Sequence, residues 1–200
     1  MTGRLIAIEG IDGAGGETQS KLLFEHLKEK GIPAVRLTYP DYSGPIGRLL
    51  HEYLHEKFEL SPEMQFLLYA SDYIKDQEKI RELLEEGKTV VCDRYFTSAL
   101  AYQGLRGFPI EKALKFADMF GIRRPDTIIF LRVSPETSMK RKYGEKKSLD
   151  RNESNKEFLG RVSKFYEGLI KNQTFGKWVI VDSEKPIEKV FEEIRKALAL

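Results

Sequence analysis

The chain has 200 residues, 41% of them hydrophobic, which suits one domain with a substantial core and is too short for two full ones. Its formal net charge is +2 and its basic residues are spread out, which argues against a nucleic-acid polymer as the main partner. A lone cysteine, Cys92, excludes an internal disulfide or a zinc framework. The amino terminus reads without a signal peptide and no apolar run approaches membrane-spanning length, so the expectation is a soluble, cytoplasmic protein with no membrane partner. The sequons at Asn152 and Asn172 are then chance, and 32% charged residues with few Asn and Gln fit a heat-adapted source.

Leu5, Ile6, Ala7 and Ile8 form an apolar run of the kind a buried parallel strand shows. A turn with Gly10, Gly13, Gly15 and Gly16 follows, and from about Glu17 the pattern becomes helical, with Leu22, Leu23 and Leu27 on one side. Strand, glycine turn and helix form the setting in which backbone N–H groups and a helix N-terminus hold a phosphate. Against the pattern G-x-x-x-x-G-K-[ST], Gly10 and Gly15 stand at the right spacing, but Gly16 takes the lysine position and Glu17 the Ser/Thr position. The cradle is therefore Gly10, Ile11, Asp12, Gly13, Ala14, Gly15, Gly16, Glu17 and Thr18, without the usual cation and metal-binding hydroxyl. A plain strand-to-helix turn is the alternative.

Gly31-Ile32-Pro33 breaks the first helix, and Ala34 to Tyr39 reads as a second strand. Residues 40–47 are a loop, and a short helix follows with Ile46, Leu49, Leu50, Tyr53 and Leu54 on its inner side. Ser61-Pro62-Glu63 caps a long helix running to about Glu86. Thr89 to Cys92 is a third buried strand, with Asp93-Arg94-Tyr95 at its carboxyl end and a helical region carrying Ala101-Tyr102-Gln103-Gly104 beyond it. Pro109 starts a helix that ends at Gly121, and Thr127 to Val133 is a fourth strand. Ser134-Pro135-Glu136 caps a helix into a basic segment, 155–171 is helical, Trp178 to Val181 is a fifth strand, and Ile187 to Leu198 is the last helix. Apolar strands alternating with helices predict an α/β fold with a parallel sheet covered on both faces, whose ligands bind outside the strand carboxyl ends.

The segments EGIDGAG at 9–15, YPDYSGPIGRLL at 39–50, FLLYASDY at 66–73, VVCDRYFTSALAYQG at 90–104, RRPDTIIFLRVSP at 123–135, and MKRK with LDR at 139–151 together resemble the thymidylate kinase family of P-loop nucleoside monophosphate kinases. The resemblance spans nearly the whole chain. It implies one P-loop kinase domain over 1–200, a five-stranded parallel sheet in the order 2-3-1-4-5, a homodimer, and γ-phosphoryl transfer from ATP to dTMP with Mg²⁺. It also implies roles for particular residues. Asp12 resembles the carboxylate facing the sugar and the reaction centre, and Arg94 can grip the acceptor phosphate as a planar fork. Asp93 resembles a metal- or water-bound carboxylate, with a structural salt bridge as its alternative. Pro40 and Tyr42 lie in the acceptor loop, Tyr69 stands where a ring meets the base, and Ser98, Tyr102 and Gln103 match readers of base and sugar. A lid of about 141–153 would close over ATP, with Arg141 and Arg151 as catalytic cations beside Lys146 and Lys147.

Several positions depart from the family pattern. Tyr42 stands near where the family has an acceptor-phosphate arginine, Tyr73 replaces an arginine that reads the base, and Arg132 replaces a strand-end acid. The missing loop residues suggest that Glu17, Thr18 and Asp93 hold Mg²⁺ while lid cations replace the lysine. These departures leave open a kinase for another nucleoside monophosphate, or a non-catalytic nucleotide binder. His51-Glu52-Tyr53-Leu54-His55 also spells HExxH, the zinc-protease signature, but the third histidine of the extended pattern is absent.

Overall fold

The computed structural model describes residues 3–145, 152 and 155–200. Five strands, β1 (Leu5–Glu9), β2 (Ala34–Thr38), β3 (Thr89–Asp93), β4 (Thr127–Arg132) and β5 (Trp178–Asp182), form one sheet in the order β2-β3-β1-β4-β5. Every pairing is parallel. β1, β3 and the first five residues of β4 are buried, which is why their sequences read as unbroken apolar runs. The edge strands β2 and β5 are less covered.

The helices are α1 (Gly16–Glu29), α2 (Pro45–Leu54), α3 (Pro62–Ile74), α4 (Gln77–Glu85), α5 (Phe96–Leu105), α6 (Ile110–Met119), α7 (Pro135–Glu145), α8 (Lys156–Lys171) and α9 (Ile187–Leu198). No helix of the described residues is long and apolar enough to cross a membrane. Two details differ from the sequence reading. The long helix expected to run to Glu86 is two helices, α3 and α4, although neither glycine nor proline interrupts it. At the junction the N–H of Asp76 bonds Tyr73 O rather than the carbonyl four residues back, and the Asp76 carboxylate accepts from the Tyr39 hydroxyl at 2.9 Å. A tertiary hydrogen bond thus draws the chain out of its helical course. On α2, Leu49 is exposed while Leu50, Tyr53 and Leu54 are buried.

The register sets up the site. Ile8 of β1 lies beside Asp93 of β3, so the chain leaves both strands at the same edge of the sheet. Glu9, Gly10, Asp93 and Arg94 are brought together there by the backbone alone, as expected of the carboxyl end of a parallel sheet.

Candidate active site

The glycine turn between β1 and α1 forms one wall of a cleft of about 420 Å³, a size that suits small ligands. Gly13 and Gly15 have φ of 79° and 97°, a region that other residues enter at a cost. Four carbonyls of the turn are held by side chains from distant segments. Arg94 Nη1 donates to Gly10 O at 2.9 Å, the Ser138 hydroxyl to Asp12 O, Arg141 Nη1 to Gly13 O at 3.4 Å and the Ser183 hydroxyl to Ala14 O at 2.6 Å. With these carbonyls tied to other partners and the Ala14 N–H bonded to Ile11 O at 3.0 Å, the other N–H groups of the turn and of the first α1 residues remain to hold an anion.

Arg94 stands at the centre of the cleft. Its Nη2 meets Asp12 Oδ1 at 2.6 Å, and its φ of 63° is unusual for a non-glycine residue, a strain of the kind found at functional sites. The Asp12 carboxylate also accepts from the Tyr102 hydroxyl at 2.9 Å. Beneath this pair lies Glu9, 1% exposed. It accepts from Tyr95 N, Thr97 Oγ1, Ser98 Oγ and Tyr166 Oη at 2.6–2.9 Å. Burial pushes the Glu9 carboxyl up, against the pull of those donors and of Arg94.

The opposite wall comes from α3, α5 and the loop after β2. Tyr69 and Tyr73 of α3 and Ser98, Tyr102 and Gln103 of α5 line it, with Pro40 and Tyr42 closing one end. Asp72 fixes that loop by accepting from Asp41 N at 2.8 Å, and Lys75 bridges Asp41 and Asp72 at 3.4 and 3.3 Å. Burial raises the Asp72 carboxyl, whereas the Ser43 hydroxyl chiefly lowers that of half-buried Asp41.

Asp93 is pushed up to about 6 by burial, against the neighbouring Arg94 and Arg36, and the charge of Glu17 adds to the rise. It forms the salt bridge that the alternative reading allowed, to Arg36 at 3.2 Å, yet still borders the cleft with Glu17 and Thr18. A Cβ on Gly16 would come within 2.8 Å of Asp93 Oδ1, so this carboxylate stands where a side chain at 16 would begin. Two carboxylates and a hydroxyl beside a phosphate cradle are the oxygen donors that Mg²⁺ takes together with water and phosphate, and the residues fit that ion.

Every cradle and acceptor-side position expected from the sequence borders this one cleft, from Gly10 to Thr18 and from Pro40 to Gln103. Arg141 does not line it. Its Nη2 donates to Ser183 O at 2.7 Å, so the guanidinium braces the turn from behind. Lys142, the next residue on α7, does line the cleft. Arg151, Lys146 and Lys147 lie outside the described residues. Sequence reasoning missed Glu9, Ser138, Tyr166 and Ser183; only the strand-end positions of Glu9 and Ser183 carried a signal. The HExxH pair does not form a metal centre. His51 and His55 stack at 4.0 Å, His55 Nδ1 bonds His51 O, and Glu52 pairs with Lys57. Among the described residues no group of three or more His, Cys, Asp or Glu side chains could hold a metal ion.

Known proteins resemble this chain along nearly its whole length. The family model described as thymidylate kinase matches residues 8–194. Thymidylate kinase of Homo sapiens is 34% identical over 195 residues, covering 96% of this chain and 88% of the relative. That of Caldanaerobacter subterraneus subsp. tengcongensis is 34% identical over 204 residues, covering 99% and 96%. That of Caldicellulosiruptor saccharolyticus is 32% identical over 201 residues, covering 99% and 97%.

Proposed function

The chain belongs to the thymidylate kinase family, and from that premise we infer that its cleft transfers the γ-phosphoryl group of ATP to dTMP, giving ADP and dTDP. The observation that carries the reading is Arg94, fixed between the glycine cradle and the aromatic wall by Gly10 O and Asp12. A planar cation there serves an acceptor phosphate facing the donor's terminal phosphate. An oxygen of the dTMP phosphate attacks the γ-phosphorus in line, the bond to the β,γ-bridging oxygen breaks, and ADP leaves with that oxygen.

The protein contributes position and charge. Backbone N–H groups of 10–18 hold the ATP phosphates, while Arg94 orients the acceptor phosphate and offsets its charge. Asp12 orients Arg94 and Tyr102, and Tyr69 flanks the base. Mg²⁺ would neutralise charge on the β- and γ-phosphates, held by Glu17, Thr18 and Asp93. Lys142 and the lid cations, Arg151 included, supply the positive charge that Gly16 lacks. Release of ADP that requires dTMP as well as ATP tests the reading.

The metal assignment has its own test. Glu17→Ala is expected to raise the Mg²⁺ concentration for half-maximal turnover about tenfold, the loss of one charged ligand contact. An unchanged Mg²⁺ titration refutes it.

Residues 1–200 are read as one cytoplasmic kinase domain with a lid of about 141–153. A homodimer is supported by exposed apolar residues on α3 (Met64, Leu67) and at the end of α6 (Met119, Phe120), elements that meet through Phe66 and Phe116. Sedimentation at micromolar concentration should give twice the chain mass, and Met119→Lys should shift it toward the monomer.

A further inference from the structure

Gln103 is the observation that the phosphoryl-transfer account leaves unused. It lies on α5, is 2% exposed, and lines the cleft. Its Oε1 is buried without a hydrogen-bond partner. A buried amide oxygen left unpaired is costly, and this one borders the cleft, where a ligand can pair it. The other polar groups of α5 in the cleft are already engaged. The Ser98 hydroxyl donates to Glu9, and the Tyr102 hydroxyl donates to Asp12.

Across from α5, Tyr73 of α3 lines the same wall. Its ring is held by Tyr39 at 5.0 Å, Tyr95 at 5.8 Å and Phe96 at 6.1 Å. Burial raises its hydroxyl well above the usual phenol range, so it stays protonated. A phenol O–H rotates, and it donates or accepts as its neighbour requires.

We propose that the acceptor end of the cleft admits 4-aminopyrimidine as well as 4-oxopyrimidine monophosphates, so that dCMP is phosphorylated beside dTMP. The inference rests on the kinase reading above and extends its substrate class. A 4-oxopyrimidine offers an N3–H donor beside an O4 acceptor. A 4-aminopyrimidine offers an N3 acceptor beside an N4–H donor. A carboxamide carries an acceptor and donors side by side, and half a turn about its last bond exchanges them. A site rejects the wrong edge when one orientation is fixed by a third group, and no described residue bonds Oε1 of Gln103. The Tyr73 hydroxyl is equally two-sided. A fixed cation beside position 4 of the ring would meet the O4 acceptor of the oxo form but the N4–H donor of the amino form, and so favour the oxo form. Among the described residues the cations lining the cleft are Arg94, committed to Asp12 and Gly10 O, and Lys142, which follows the loop-bracing Arg141 on α7.

The test is kcat/KM for dTMP, dUMP and dCMP with ATP and Mg²⁺ on the full chain. dCMP is expected within about thirtyfold of dTMP, whereas a pocket with fixed donors rejects the wrong edge by about 10⁴. Turnover of dTMP with dCMP more than about thirtyfold slower overturns this inference and leaves the kinase reading standing. No turnover with any monophosphate overturns both. Gln103→Leu separates reading of the base from general damage. It should lower both values about tenfold or more while keeping their ratio within about threefold. A fall confined to dTMP would mean that Gln103 reads only the oxo form, and overturns the inference.

Discussion

Replacing Arg94 with alanine is expected to lower kcat with dTMP about a thousandfold, at the upper end for removal of a single charge-stabilising donor. The side chain is placed by three independent constraints: the end of β3, the carbonyl of Gly10 and the carboxylate of Asp12. None of them involves a bound nucleotide, so the guanidinium is held in the cleft by the protein alone. Arg94→Lys should recover less than a tenth of the lost rate, because an ammonium keeps the charge and loses the two-pronged geometry. Steady-state turnover of both variants, with a melting curve to confirm folding, makes the measurement. A loss below tenfold in the alanine variant would remove Arg94 from transition-state stabilisation.

Glu9→Ala is expected to lower unfolding stability by about 3 kcal/mol, read as a lower urea midpoint at unchanged slope. The carboxylate sits under the site with four donors converging on it, and removing it strands them away from water. Hydroxyls of Thr97, Ser98 and Tyr166 can rotate toward other acceptors, but the N–H of Tyr95 cannot. Glu9→Gln should cost less, about 1–2 kcal/mol, since one carboxyl oxygen remains while the new N–H₂ faces hydroxyl donors. A shift under 1 kcal/mol for the alanine variant would mean that the buried carboxylate is not what ties β1 to α5 and α8.

The strands were legible because a sheet covered on both faces demands continuous apolar runs, and Leu5–Ile8, Thr89–Cys92 and Thr127–Leu131 supply them. Their order was not contained in that pattern; it came from the family resemblance, and the sheet has it. The break between α3 and α4 left no local mark, since it depends on the Tyr39 hydroxyl reaching Asp76 from another strand's end. The cradle was visible in its glycines. The groups that clamp its carbonyls were not, because Ser138 and Ser183 stand 126 and 169 residues from their partners and are ordinary serines in sequence. The missing lysine read as a loss. In the structure, Gly16 lies against Asp93, and the cleft gains a carboxylate beside the loop. Arg141, read as a cation for the phosphates, faces the back of the turn, and Lys142 lines the cleft instead.

The altered loop, with Gly16 and Glu17 in place of lysine and Ser/Thr, is expected to support phosphoryl transfer to dTMP. The most direct measurement is ADP formation from ATP and Mg²⁺ with and without dTMP, at raised temperature, alongside binding of both nucleotides. Turnover that requires dTMP and collapses in Arg94→Ala is the expected result. Binding of ATP and dTMP with no ADP formed above the rate without dTMP would contradict it, and would make the cleft a nucleotide-binding site without catalysis.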